Sequence, residues 1–254
     1  GLGIPAEPLF RSRDVFDGNN HKIYGLNGSL FRDNYGQIKN LHLVNSLLKG
    51  GHGAFAQLNR GEILNSSLRR AVLENGENLR TVAGFVYQNY NASIIDSCVN
   101  YSDFDVPAGS YEEVAGFASL NDGIIRNSRN LGNIKANGST RVAGIVASNS
   151  DKGSILNCIN EGDIEYVGYR NMNLGGLVAD NGWGMIKGSK NFGKITVRLL
   201  GSYDGISIDP RATLFSPSHV AGVVADDADL DSLGFLFTHQ LLSSAQDVAV
   251  EATG

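Results

Sequence analysis

This chain is poor in the residues on which most redox and hydrolytic chemistry depends. Among 254 residues there are two cysteines, five prolines, five histidines and one tryptophan. The cysteines, Cys98 and Cys158, cannot make the C-x-x-C pairs of a zinc or redox site. The histidines, His21, His42, His52, His219 and His239, contain no His-Glu-x-x-His arrangement, so no zinc peptidase centre of that type is expected in this stretch. A Gly-x-Ser-x-Gly elbow, a phosphate-cradling loop ending in Gly-Lys-Ser/Thr and a dinucleotide fingerprint are all missing. No cofactor is therefore expected. Apolar runs fall short of the roughly 18 residues that a membrane-spanning helix needs, so membrane insertion is not expected. A net charge of −5, with both signs interspersed, gives no reason to expect nucleic acid. Scarce proline speaks against a Pro-rich disordered segment. The chain opens at Gly1 without a Met or a signal-like apolar segment, which reads as a processed or excised piece of something longer.

What is abundant is glycine, 32 residues, and repetition. Val82-Ala83-Gly84-Phe85, Val114-Ala115-Gly116-Phe117, Val142-Ala143-Gly144-Ile145, Leu174-Gly175-Gly176-Leu177 and Val220-Ala221-Gly222-Val223 are copies of one hinge. A middle segment recurs as Ile38-Lys39-Asn40-Leu41, Ile63-Leu64-Asn65-Ser66, Ile95-Asp96-Ser97-Cys98, Ile125-Arg126-Asn127-Ser128, Ile155-Leu156-Asn157-Cys158 and Ile186-Lys187-Gly188-Ser189. A third segment recurs at Phe104, Ile134, Ile164 and Ile195, each opening an apolar-polar alternation that marks a half-buried strand. A period of about 30 residues signals a stacked architecture. Helices are excluded by glycine inside every unit, at about 1 kcal/mol each in a helix interior. The expected fold is all-β: a single-domain parallel β-solenoid with three short strands per turn. Its expected extent is residues 15–225, after a lead-in or linker at 1–14 and before a cap or the start of a further segment at 226–254.

The columns of this register predict more. Asn40, Asn65, Asn127 and Asn157, with Asn100, Asn130, Asn160 and Asn191, should supply left-handed corners and amides that hydrogen-bond up the stack. Cys98 and Cys158 share a column with Leu41, Ser66, Ser128 and Ser189. Two rungs apart, about 9.6 Å, they exceed the reach of a disulfide and should be buried free thiols. Lys39, Leu64, Asp96, Arg126, Leu156 and Lys187 form an outward column, and Asp163 lies one rung from Lys194; opposite charges there are mutually stabilising. Paired carboxylates could assemble from different rungs, but Asp103 and Asp163 are separated by Asn133 and read as solvated surface.

Several stretches break the pattern. Residues 15–26 read as two short apolar strands around a Gly18-Asn19-Asn20 turn, with the repeat starting near residue 28. In the hinge both alternate sets are apolar. An outward stripe of Phe85, Phe117, Ile145, Leu177 and Val223, or of the smaller residues, is expected, covered by the loops at 107–113 and 168–173 or by a partner. Residues 196–219 are an insertion carrying Tyr203, Arg211 and Phe215, residue types suited to binding, and are the expected partner address. Asp226, Asp227, Asp229 and Asp231 resemble a calcium loop, but Ser232 stands where glycine belongs and Thr238 where the closing acid belongs. Residues 234–250 are expected to cover the open end of the stack.

Gly176-Leu177-Val178-Ala179 and its copies, followed by Gly-x-Ile-x-Asn-Cys-x-Asn-x-Gly-x-Ile at residues 153–164, resemble the GLUG repeat of large bacterial surface proteins. The opening Phe16-Asp17-Gly18-Asn19-Asn20 to Leu26, with Ser29-Leu30-Phe31, is similar to the start of such arrays, which also occur in the non-catalytic part of secreted metallopeptidases that cut immunoglobulin A. The resemblance covers about residues 15–225. It implies a right-handed parallel β-helix at a bacterial surface or outside the cell and carries over no catalytic residue. Two functions follow as expectations: a structural and adhesive domain whose loops bind a protein or glycan on a cell surface, or the substrate-presenting, non-catalytic part of a large secreted zinc metallopeptidase. A polysaccharide lyase or hydrolase is a third, weaker reading.

Overall fold

A computed structural model describes residues 14–74, 80–108, 111–168, 173–199, 219–221 and 248–252. Among them every regular element is a strand, and every pairing is parallel, so the chain is a β-solenoid whose rungs repeat at the predicted period. One turn runs through Arg80–Ala83, Val86–Asn89, Ile94–Asp96, Val99–Asn100 and Phe104–Val106 before the next begins at Tyr111. The three segments of the repeat are present. The first two are each broken by a corner, so a turn carries five short strands.

Pairing follows the columns read from the sequence. Ile38 lies against Ile63, Ile63 against Ile95, and the column continues through Ile125 and Ile155 to Ile186. All but Ile186, which packs against the cluster's edge, are fully buried. Phe55, Phe85 and Phe117 stack ring on ring at 4.7 and 4.6 Å, and Ile145 and Leu177 extend the core beside them. Burying such columns, at about 25 cal/mol per Å² of apolar area, is the main favourable term.

The corner between Ile and Ser or Cys is made by left-handed residues, Asn40 at φ 50°, Asn65 at 46°, Asn127 at 49° and Asn157 at 52°, with Ser97 and Gly188 in the same column. Asparagine tolerates this conformation better than other non-glycine residues. The second asparagine set does the other task. Asn100, Asn130, Asn160 and Asn191 are buried and donate amide to amide at 2.7 to 2.8 Å, each rung to the next. A third column, unforeseen, is longer: Asn34, Asn59, Asn89, Asn121, Asn149 and Asn181 form a buried chain of amide hydrogen bonds of 2.7 to 2.9 Å. These ladders satisfy buried polar groups that would otherwise be costly.

Two expectations are corrected. The hinge is not one strand with an apolar stripe outside. Arg80–Ala83 ends, the chain turns at Gly84 and Phe85, and Val86–Asn89 joins a different sheet. At that bend Val82, Phe85 and Val86 all face the main core, as do Phe117, Ile145 and Leu177, while Ala83 and Ala115 pack with Ala147 in a small separate cluster. The 107–113 and 168–173 loops thus have no such stripe to cover; Val223 lies outside the described residues. Gly144 is required at the bend because a Cβ there would overlap the Asn160 amide and the Gly176 carbonyl.

The second correction concerns residues 15–26. They do not form a hairpin. Val15–Tyr24 is a first rung, pairing in parallel with Gln37–Val44, and Gly18-Asn19-Asn20 is its corner opposite Asn40. At the other end Val248–Ala252 pairs in parallel with Ile195–Leu199, adding a strand to the stack.

Candidate binding surface

The insertion residues Tyr203, Arg211 and Phe215, and the aspartates at 226–231, lie outside the described residues. The remaining groups with chemical potential can be sorted by what they touch. Asp103, Asn133 and Asp163 accept hydrogen bonds at 2.8 Å from the backbone N–H of Asn133, Asp163 and Lys194 respectively, one rung to the next. Asp163 therefore meets the backbone of Lys194 through its carboxylate, and both aspartates serve the stack. Asp96 sits beside Arg126 at 2.7 Å. Burial opposes its ionisation, but hydrogen bonds from Asn127, Arg126 and Ser97 outweigh that and hold its pKa below the usual value.

A cluster that sequence reasoning missed joins Glu113, Arg141 and Asp180 across three rungs. Arg141 meets Glu113 at 2.6 Å and Asp180 at 3.1 Å. Burial pushes the Glu113 carboxyl up while Arg141 pulls it down, with a net rise. Arg141 ties both acids, so the cluster reads as an ion-pair triad closing the bend and not as a free acid and base. Cys98 and Cys158 are free, buried and two rungs apart with Ser128 between, as the register requires. Burial pushes both thiols up to about 12. Among the described residues no three His, Cys, Asp or Glu side chains are placed to hold a metal ion.

Among the described residues, some surface groups are not consumed by the stack. A groove of about 400 Å³ crosses the first rungs, lined by Lys22, Tyr24, Val44, Arg69, Arg70 and Tyr101. Tyr24 pairs with Val44 and Val44 with Arg69, so the lining climbs the stack one rung at a time. The Arg69 guanidinium lies 3.5 Å from the Tyr101 ring centroid. His42 stands nearby, sharing a 2.8 Å hydrogen bond with Ser67. Its pKa is lowered, first by burial and then by the charges of Arg69 and Lys22. A second arginine, Arg60, stacks over Tyr90 at 3.6 Å and reaches Tyr35 at 5.8 Å. None of these residues was singled out from sequence, because the early rungs are the loosest copies of the repeat. One signal was available: the corner column that holds Gly25 and Asn45 holds an arginine at position 70.

No family model matches the chain, and no curated protein sequence matches it either. Among solved structures it is similar to the 1.30 Å crystal structure of a putative immunoglobulin A1 protease from Bacteroides ovatus, with a TM-score of 0.54 and 16% identity over 89% of this chain and 72% of that one. At that identity the likeness is one of fold: this chain shares the solenoid architecture of that protein.

Proposed function

We propose that this chain is a non-catalytic structural and adhesive solenoid of a bacterial surface or secreted protein. The observation that carries the reading is the fate of the repeated polar residues. The asparagines of both amide ladders, the corner asparagines and the Asp103, Asn133 and Asp163 column all bond from rung to rung or set a corner, which is an architectural use. The insertion at 196–219, with Tyr203, Arg211 and Phe215, is the proposed address for a protein or glycan on a cell surface. The resemblance to GLUG arrays supports an extracellular or cell-surface location. The test is incubation of the purified chain with immunoglobulin A1 and with acidic and neutral polysaccharides, with and without added zinc. Intact substrates are expected; cleavage of any of them would overturn the reading.

A second reading is favoured by one observation, the description borne by the solved structure from Bacteroides ovatus. On it, this chain is a non-catalytic, substrate-presenting part of a secreted zinc metallopeptidase. The full-length gene decides between them: a His-Glu-x-x-His motif downstream supports the peptidase, and further repeats or an anchor support the adhesin.

A further inference from the structure

We infer that the groove formed by Lys22, Tyr24, Arg69, Arg70 and Tyr101 is a binding site for an acidic oligosaccharide, one carrying uronate carboxylates or sulfates. The inference stands apart from the insertion, whose described ends, Leu199 and His219, pair several rungs away.

The first support is the sorting of cations by partner. Arg126 pairs with Asp96, Arg129 with Glu161, Lys135 with Glu165, Lys39 with Asp17, and Arg141 with Glu113 and Asp180. Lys22, Arg69 and Arg70 make no ion pair with any described carboxylate; the same holds for Lys49, Arg60, Lys152, Lys187, Lys190, Lys194 and Arg198, but these three line one groove in a chain whose net charge is −5. Three uncompensated cations converging on one groove in an acidic protein concentrate positive potential where an anion would be held. Stacking on Tyr101 uses the face of the Arg69 guanidinium and leaves its in-plane donors, the ones that match a carboxylate or sulfate, without a protein partner among the described residues.

The second support is backbone conformation. Gly25 and Asn45 occupy the corner column at φ 66° and 56°, which are the residue types such a corner favours. The next rung places Arg70 there at φ 52°. An arginine gains nothing from a left-handed corner, so an exposed one held in that conformation on a groove wall points to use of its side chain.

The third support is shape. From Tyr24 to Tyr101 the lining spans three strand spacings, about 14 Å, a length suited to a di- or trisaccharide. Tyr24, 63% exposed, offers a ring face to the C–H face of a sugar ring, while Tyr101, 37% exposed, holds Arg69 on one of its faces and so fixes that guanidinium at the groove. Val44 is the single aliphatic lining residue, and it is itself buried. A peptide ligand would instead look for an apolar pocket to anchor a side chain.

The test is isothermal titration of the full 254-residue chain with trigalacturonate and with a sulfated heparin-type disaccharide, against maltotriose and hexaglutamate as controls. Binding of an acidic sugar that weakens as salt rises is expected, with maltotriose far weaker. Arg70→Asn, which installs the residue found one rung earlier at Asn45, should weaken binding roughly tenfold or more while thermal stability stays equal or rises. Lys22→Gln and Tyr24→Ser, on an exposed first-rung strand, give the same loss of affinity by a second route should Arg70→Asn fold poorly. Equal binding of maltotriose, binding of hexaglutamate without binding of either acidic sugar, no binding of either sugar at millimolar concentration, or undiminished affinity in all three variants would overturn the inference. Cleavage of the sugar would refute the non-catalytic reading while leaving the site standing, so the two failures are distinguishable.

Discussion

Replacing Asn121 by alanine tests whether the amide ladder holds the rungs together. Asn121 is buried, accepts a 2.9 Å hydrogen bond from Asn89 Nδ2 and donates at 2.7 Å to Asn149 Oδ1. Asn121→Ala orphans one donor and one acceptor in the core, each worth about 1 to 3 kcal/mol, for a total of about 2 to 6 kcal/mol. Asn34, at the ladder's first rung, is the internal control. Its loss removes a 2.7 Å donor from Asn59 Oδ1, which keeps the Gly61 N–H at 3.4 Å, together with 3.2 Å bonds to the Gly36 N–H and the Glu62 carbonyl, both part-buried and able to turn to water, so the cost should be about 1 to 3 kcal/mol. Asn121→Asp sharpens the test. The carboxylate can accept from Asn89 but opposes Asn149 Oδ1, so at neutral pH it should be worse than alanine. Its folded pKa would lie above the unfolded value of about 3.9, so the penalty is present at high pH and is relieved as acidification restores a donor. Urea unfolding followed by circular dichroism and by Trp183 fluorescence measures all three, and two probes reveal any rung-by-rung loss. A cost under about 1 kcal/mol for Asn121→Ala would refute the ladder argument.

Gly144→Ala should unfold the chain or cost more than about 3 kcal/mol, because the new Cβ meets backbone and the Asn160 amide, whereas Gly138→Ala, at φ 78° with open space around it, should cost about 1 kcal/mol; paired melting curves give the contrast. Cys98 and Cys158, with thiols pushed up to about 12, should resist iodoacetamide at pH 8 in the folded protein and react fully in urea, as mass spectrometry would show. Asp96→Asn should lower stability at neutral pH, and the difference from the native chain should shrink as pH falls through the depressed pKa of Asp96, because a lowered folded pKa contributes stability only while the group is ionised.

Much of the fold is legible because repetition substitutes for an alignment. Ile38, Ile63, Ile95, Ile125 and Ile155 align by eye, and the same register puts Cys98 and Cys158 two rungs apart. The hinge misleads because alternation presumes a straight strand. A chain that turns at Gly84 and Phe85 can bury Val82, Phe85 and Val86 together, which no period-two reading allows. The longer amide ladder escapes notice for another reason. Asn34, Asn59, Asn89, Asn121, Asn149 and Asn181 follow the outward-varying residues Asp33, Leu58, Gln88, Leu120, Ser148 and Asp180, so their context looks unlike a motif. The groove is legible only as an exception, since Arg70 departs from its column while Tyr24, Arg69 and Tyr101 come together through strand pairing across rungs.

The insertion between Leu199 and His219 yields a last prediction because both of these residues are anchored in the register, Thr196 to Leu199 belonging to a paired strand. Leu199 pairs with Gly168, and His219 with Asn173. The shorter connection, residues 169–172, therefore bridges the same gap one rung earlier. Strand spacing and register are alike at both rungs, so a linker that closes the first gap has the reach to close the second. Replacing residues 200–218 by a copy of Tyr169-Arg170-Asn171-Met172 removes Tyr203, Arg211 and Phe215 without moving either paired strand. The entropy of closing the longer loop is also removed, which should raise stability by about 1 kcal/mol. Urea unfolding should thus give an equal or higher midpoint, and affinity for an acidic trisaccharide at the groove should be unchanged. An unfolded product would show instead that the insertion supports the stack, and a reading of it as a detachable binding loop would have to be abandoned.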